Sequence, residues 1–259
     1  MKAFNFDEPT ERRGTGSYKW DSADADVIPL WVADMDFRTA PCIIDALSDR
    51  VRHGVFGYEK VPDAWYEALQ GWFARRHGWQ IRREEVLCTT GVVPAVSAVI
   101  KAFTRPGDGV ALMTPAYNCF FSSIRNNGCF AAETALLMGN AGWTIDFAAL
   151  EKTLADPRVK VFLFCSPHNP VGRVWTADEI RRTAQIAHQA GVLFVCDEIH
   201  GEFVFGGSRY LPAAQVEGVD PLRTVILTSP TKTFNLAGAG IAAIIAAGPK
   251  VRAKIDRAI

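Results

Sequence analysis

Uninterrupted apolar runs that alternate with helix-patterned stretches predict an α/β fold, a three-layer sandwich around a mostly parallel sheet. The runs are Gly109-Val-Ala-Leu-Met113, Lys160-Val-Phe-Leu-Phe-Cys165, Val192-Leu-Phe-Val-Cys196 and Thr224-Val-Ile-Leu-Thr228. A strand that stays apolar at successive residues is covered on both faces, as strands of parallel sheets are. The chain has 259 residues, 49% of them hydrophobic, which is enough for a sizeable core.

Residues 1–38 read as irregular and aromatic-rich, ending in Ile28-Pro-Leu-Trp-Val-Ala-Asp-Met-Asp-Phe37. Asp34 and Asp36 resemble a metal or acid–base pair; the reading preferred here is a loop whose aspartates cap backbone amides. Thr39-Ala-Pro then starts a helix to about Arg52, with Thr39 as cap and Pro41 in the first turn. Gly54 to Glu59 reads as a turn. Pro62 to His77 reads as a helix whose Trp65, Leu69, Trp72 and Phe73 share a core-facing stripe.

From Glu85 the pattern is βαβ. Val86–Thr89 is a short strand, and the helix after Thr90-Gly runs to about Phe103, with Pro94 suited to its first turn. Strand 109–113, helix 117–127, strand 129–134 and helix 147–155 follow, then strand 160–165. Thr176 caps a helix to Ala190, ahead of strand 192–196. Strand 224–228 and the apolar run Ile241–Ala246 bracket Ser229-Pro-Thr-Lys-Thr-Phe-Asn-Leu-Ala-Gly-Ala-Gly240. From Pro249 an amphipathic helix runs to the last residue with no Gly or Pro terminator, so the expectation is a sequence cut short of its natural end. A frayed terminal helix is the alternative.

Composition excludes several classes of function. Lys+Arg and Asp+Glu are both 28, so no net field draws the chain to nucleic acid or to a membrane surface. The N-terminus carries acidic residues where a signal peptide needs an apolar core, and no apolar run is long enough to span a bilayer. The six cysteines are scattered without a CxxC pair, which implies a reduced, cytoplasmic protein and suggests no metal site.

Ligands of a wound α/β sheet bind outside the carboxyl ends of its strands. Those ends carry Gly91-Val92-Val93 at a helix N-terminus, suited to a phosphate, and then Tyr117 with a flat aromatic face. They also carry Ser166-Pro-His-Asn169, Asp197-Glu-Ile-His200 and Ser229 to Lys232. Each alone is weak, and Lys232 alone favours the reading of a surface cation. Together they match pyridoxal 5′-phosphate, which has an aldehyde, a phosphate, a flat ring, a ring nitrogen and a phenolic oxygen. Lys232 is the amine for a Schiff base, and Asp197 would hold the proton on the ring nitrogen. Tyr117 would stack on the ring, and Asn169, with or without His200, would face the phenolic oxygen. Gly91, Val92, Ser229 and Thr231 would bind the phosphate. No G-x-G-x-x-G follows a strand, which disfavours a dinucleotide dehydrogenase.

With these motifs the chain resembles the fold-type I pyridoxal-phosphate enzymes, the aspartate aminotransferase superfamily. Within it, the chain is most similar to bacterial C–S β-lyases of the MalY/PatB type (cystathionine β-lyases). The resemblance is carried by Trp31-Val-Ala-Asp-Met-Asp-Phe37, Gly57-Tyr58, Gly91-Val-Val-Pro94, Ser166-Pro-His-Asn-Pro-Val-Gly-Arg-Val-Trp175, Asp197-Glu-Ile-His200 and Ser229–Gly238. His200, where aminotransferases usually have tyrosine, and Thr231-Lys-Thr-Phe-Asn235 favour the lyase branch. The resemblance implies a homodimer with shared active sites, in which Tyr58 reaches the partner's phosphate. It also implies that Ala33 and Asp34 line the substrate pocket and that Lys232 moves the α-proton. The implied reaction is α,β-elimination from L-cystathionine or a related cysteine S-conjugate to thiol, pyruvate and ammonia.

By the same resemblance residues 1–48 belong with a small substrate domain and residues 49–259 form the large cofactor-binding domain. The C-terminal small domain, with the arginine that grips the substrate carboxylate, is expected to be absent from this chain, leaving a poor catalyst. An aminotransferase and a non-catalytic regulatory relative are the competing readings.

Overall fold

A computed structural model of the chain describes residues 4–140 and 142–259. The first three residues of the N-terminal stretch read as irregular therefore lie outside the described residues. By Cα proximity the chain divides into two compact units, Met1–Lys60 with Pro230–Gly240, and Val61–Ser229 with Ile241–Ile259.

The smaller unit is mostly irregular around α1 (Pro41–His53). Pro41 occupies the first turn, and Gly54 closes the helix at φ 76°, the left-handed cap that glycine adopts without strain. Thr39 is not the cap. Ala40 holds that position with no side-chain bond, because the Thr39 hydroxyl donates to the carbonyl of Phe234 at 2.8 Å. Residues 55–60 are irregular rather than a closed turn.

The expectation that Asp34 and Asp36 cap backbone amides also fails. Asp36 takes Arg12 Nη1 at 2.8 Å, Lys19 Nζ at 2.7 Å and Trp20 Nε1 at 2.7 Å, and Asp34 takes Arg12 Nη2 at 2.6 Å. Cations 17 and more residues upstream outcompete local amides because charge-assisted bonds are the stronger ones. They hold the Asp36 carboxyl below its ordinary range even though burial opposes this.

The larger unit begins with α2 (Asp63–His77), on which Phe73 is buried while Trp65, Leu69 and Trp72 pack partly buried against the core. The βαβ pattern follows as β1 (Val86–Thr89), α3 (Val92–Phe103), β2 (Gly109–Thr114), α4 (Asn118–Asn126) and β3 (Phe130–Ala135). Next come β4 (Leu137–Gly139), β5 (Gly142–Thr144), α5 (Phe147–Leu154), β6 (Val159–Cys165) and α6 (Ala177–Gln189). The last elements are β7 (Leu193–Asp197), β8 (Thr224–Thr228), β9 (Ala242–Ile245) and α7 (Pro249–Asp256). Thr176 caps α6 as expected: its hydroxyl accepts from Glu179 N–H while Glu179 accepts from Thr176 N–H. The hairpin β4–β5 has no counterpart in the sequence reading.

Among the described residues the main sheet has seven strands in the order β1-β9-β8-β7-β6-β2-β3, and β9 alone runs antiparallel to its neighbours. Alternation along each strand sends side chains to two cores. On one face Phe162, Phe164, Phe194 and Cys196 meet α2, α5 and α6; on the other Leu163, Cys165, Val195 and Leu227 meet α3 and α4. Phe164 and Phe194 stand 5.3 Å apart between centroids with no solvent exposure, so truncating either to alanine costs about 3–5 kcal/mol. The chain steps outward from β2 to β3, then back across β2 to β6, β7 and β8. That reversal makes the carboxyl ends of β2 and β6 the topological switch point, where sheets of this kind bind their ligands.

Candidate active site

Strand register brings the tips of β1, β8, β7, β6 and β2 to one edge of the larger unit. Cys165 lies opposite Asp197, Asp197 opposite Leu227, Thr228 opposite Ala243, and Ala243 opposite Cys88. The edge is pinned beyond the strands, where Ser166 N–H donates to Asp197 O at 2.9 Å and Glu198 N–H to Leu227 O at 2.8 Å. Gly91, Val92, Val93, Tyr117, Asn169, Asp197, His200 and Ser229 therefore issue from neighbouring strand ends.

Asp197 is the last residue of β7 rather than the first after it, and it is buried. Its Oδ1 accepts Ile199 N–H at 3.1 Å, which fixes the carboxylate at the strand tip. Alternation from Val195 places it on the α3 face, where Tyr117 also packs. Burial first, then the hydrogen bond and charge of Cys119, then the negative charge of Asp197 raise the Tyr117 hydroxyl above its ordinary pKa. The phenol is neutral and feels the aspartate. Cys165 is likewise pushed up by burial and then by Asp197.

Gly91 is the N-cap residue of α3, and a Cβ there would stand 3.3 Å from Pro94 Cδ. The first-turn amides of α3 have no partner within the helix, and Pro94 has none to offer, so Val92 and Val93 carry the donors. Asn169 is half-buried, with its N–H 3.5 Å from Cys165 Sγ. His200 lies edge-on to Phe203 at 6.2 Å. The Ser229 hydroxyl donates to Ile241 O at 2.6 Å, and would have to turn from it to donate to a phosphate.

In the smaller unit Lys232 belongs to the helical turn Pro230–Thr233 and is half-buried rather than fully enclosed; Thr231 beside it is buried. Ala33 is exposed, Asp34 half-buried and Tyr58 fully exposed. Two long-range ties hold the Ala33–Asp34 segment to the stretch that carries Lys232. Asn235 Oδ1 accepts Met35 N–H at 3.0 Å and its Nδ2 donates to Phe37 O at 2.9 Å, while Thr39 bonds to Phe234. Asn235 does this at φ 54°, a left-handed backbone that asparagine tolerates better than most residues.

Sequence reasoning assigned no role to Asn235, Arg173 or Glu198. Arg173 ties the Asn169 turn in place by donating to Trp143 O at 2.9 Å, Val174 O at 2.7 Å and Glu179 at 2.7 Å. Glu198 is 2% exposed and is held by Ala213 N–H at 2.7 Å and by the Tyr210 hydroxyl.

Amide donors at a helix N-terminus, an aromatic face, a carboxamide and a buried carboxylate on one sheet edge form a donor set that fits a phosphorylated, planar, cationic ring. An α/β fold doubly wound around such an edge defines the class, a ligand-binding domain built at strand tips. The chain belongs to the aminotransferase class I and II family, whose profile matches residues 25–258. It is 38% identical to cystathionine beta-lyase PatB of Bacillus subtilis over 98% of this chain and 67% of that protein. It is 39% identical to protein MalY of Escherichia coli over 90% of this chain and 60% of that protein. Among solved structures, cystalysin from Treponema denticola, which contains a pyridoxal 5′-phosphate cofactor, is similar with a TM-score of 0.93 at 36% identity, covering 99% of this chain and 67% of that one. A PLP-bound C–S lyase from Staphylococcus hominis is similar at 0.90 and 27% identity over 97% of this chain and 66% of that one. The chain thus spans between three-fifths and two-thirds of the length of these relatives.

Proposed function

We propose that this protein is a pyridoxal 5′-phosphate-dependent carbon–sulfur β-lyase, acting on L-cystathionine or a related cysteine S-conjugate to give thiol, pyruvate and ammonia. The carrying observation is the buried Asp197 carboxylate on the same sheet face as Tyr117, in a chain 38% identical to a named cystathionine β-lyase. When bound, the cofactor supplies an aldehyde for the substrate amine and a cationic ring that accepts electron density from the α-carbon.

The residues divide the remaining work. The Lys232 amine would hold the cofactor at its aldehyde carbon and, once displaced there by the substrate amine, would be free to carry the α-proton. Asp197 holds the proton on the ring nitrogen, and Tyr117 covers the ring face. Asn169, with His200, orients the phenolic oxygen. Gly91, Val92, Val93, Ser229 and Thr231 hold the phosphate, with α3 directing the positive end of its dipole at it. Ala33 and Asp34 line the substrate side. The protein works as a homodimer in which Tyr58 reaches across to the partner's phosphate. In this reading residues 1–48 go with the substrate-binding portion and residues 49–259 with the cofactor-binding portion.

The test offers L-cystathionine with pyridoxal 5′-phosphate and follows thiol and pyruvate release. Elimination supports the lyase. Transfer of the amino group to an added 2-oxo acid, without thiol release, supports an aminotransferase instead. That second reading draws on a 30% identical relative named as a probable N-succinyldiaminopimelate aminotransferase.

A further inference from the structure

Behind the strand tip, on the face opposite Tyr117, lies a polar group that the proposed chemistry leaves unused. Glu198 follows Asp197 directly, and its carboxyl enters the core beside Cys196 and Ala213. Tyr210, 6% exposed, donates its hydroxyl to Glu198 Oε2 and meets the ring of His77 edge-on at 4.9 Å. His77 in turn lies 2.7 Å from Glu202, which also takes Trp72 Nε1 at 2.8 Å and Arg76 at 2.9 Å. A Cβ at Gly201 would stand 2.9 Å from the Tyr210 ring, so the turn after Asp197 is packed directly on this phenol.

We propose that Glu198 is a positioning residue for Asp197: its carboxyl, fixed by Tyr210 and Ala213, sets how firmly Asp197 holds the proton of a ring nitrogen bound at the tip of β7. The inference rests on the reading of Asp197 as the partner of the cofactor's ring.

Consecutive residues at a strand end point to opposite faces, so the two carboxyls share the strand tip without sharing a ligand. Among the described residues the groups acting on Glu198 are Ala213 N–H, the Tyr210 hydroxyl, the Cys196 thiol and the Asp197 charge, none of them a cation. Burial pushes Tyr210 and Cys196 well up, so both are neutral donors. Burial, opposed by Ala213, Tyr210 and Cys196, brings the Glu198 carboxyl up to about 7. Its ionisation therefore falls in the neutral range and adds a second negative charge behind Asp197. That charge strengthens the hold on a protonated ring, by about tenfold in affinity at an effective dielectric of ~20.

The experiment measures the dissociation constant of pyridoxal 5′-phosphate by tryptophan quenching from pH 5.5 to pH 8.5, roughly the span in which a carboxyl displaced this far titrates. The proteins compared are wild type, Glu198→Gln and Tyr210→Phe. Wild type should bind tighter by about tenfold across an inflection near neutrality, beyond the titration of the cofactor's own phosphate, which all three proteins share. Glu198→Gln should lack the inflection. Tyr210→Phe removes a donor to the ionised carboxylate and should move it to higher pH. If the glutamine variant does not fold, the Tyr210→Phe midpoint decides alone. An inflection that survives in Glu198→Gln, or an unmoved midpoint in folded Tyr210→Phe, overturns the proposal while leaving the functional reading intact. A wild-type protein that takes up no pyridoxal 5′-phosphate at any pH overturns both.

Discussion

Asn235 and Met35, 200 residues apart, are bonded in both directions: the Asn235 side chain accepts Met35 N–H at 3.0 Å and donates to Met35 O at 3.2 Å. One carboxamide thus fastens the segment of Ala33 and Asp34 to the stretch three residues beyond Lys232. Asn235→Ala loses these bonds and leaves a β-carbon at φ 54°, costing about 2–3 kcal/mol. Asn235→Gly relieves the backbone but not the bonds, so chemical denaturation should rank wild type above Gly above Ala. Both variants should lower kcat/KM for cystathionine by raising KM.

Asp197→Asn keeps the shape of the strand tip and removes the charge. Losing one partner of a buried charge pair costs about 2–5 kcal/mol, or roughly 30- to 5,000-fold in kcat/KM. Steady-state thiol release measures it, with circular dichroism expected to match wild type.

Glu198 couples stability to pH. Its carboxyl titrates at about 7 in the folded protein against an ordinary 4.5, so between those values the native state keeps a proton that the unfolded chain has lost. The stabilisation is full below about 4.5 and is lost as pH rises through about 7, a change on the order of 3 kcal/mol. Urea midpoints at pH 5 and pH 8, on the two sides of that titration, should differ in this sense, and Glu198→Gln should flatten the difference.

Thr176→Ala should cost about 1 kcal/mol, because Thr176 and Glu179 satisfy each other's amides at the start of α6. Thr39→Ala should leave helix content unchanged, since that hydroxyl bonds to Phe234 and caps nothing. Thermal melts followed at 222 nm separate the two.

The legible parts of the fold were those set by local pattern. Val225, Ile226 and Leu227 are wholly buried, and a run with no polar face has only a sheet interior to occupy. Thr176 and Glu179 signal a helix start three residues apart. The hairpin β4–β5 escaped notice because each strand has three residues and half-exposed or exposed side chains, too short for alternation to register. The direction of β9 was equally hidden, since a fully buried strand reads the same either way. The partners of the Asp34 and Asp36 carboxylates, Arg12 and Lys19, sit 17 to 24 residues upstream, where no local rule reaches. Among the candidate site residues, strand-tip position was enough to single out Tyr117, Asn169 and Asp197. Asn235 and Glu198 bond to partners that only the folded chain brings near.

Borohydride reduction of the protein with pyridoxal 5′-phosphate, followed by peptide mass mapping, reads the proposed attachment point itself. A reduced cofactor adduct is expected on Lys232, absent from Lys232→Ala together with the near-ultraviolet absorbance of the bound cofactor. An adduct confined to other lysines, or a Lys232→Ala protein that still eliminates thiol from cystathionine at the wild-type rate, would contradict it.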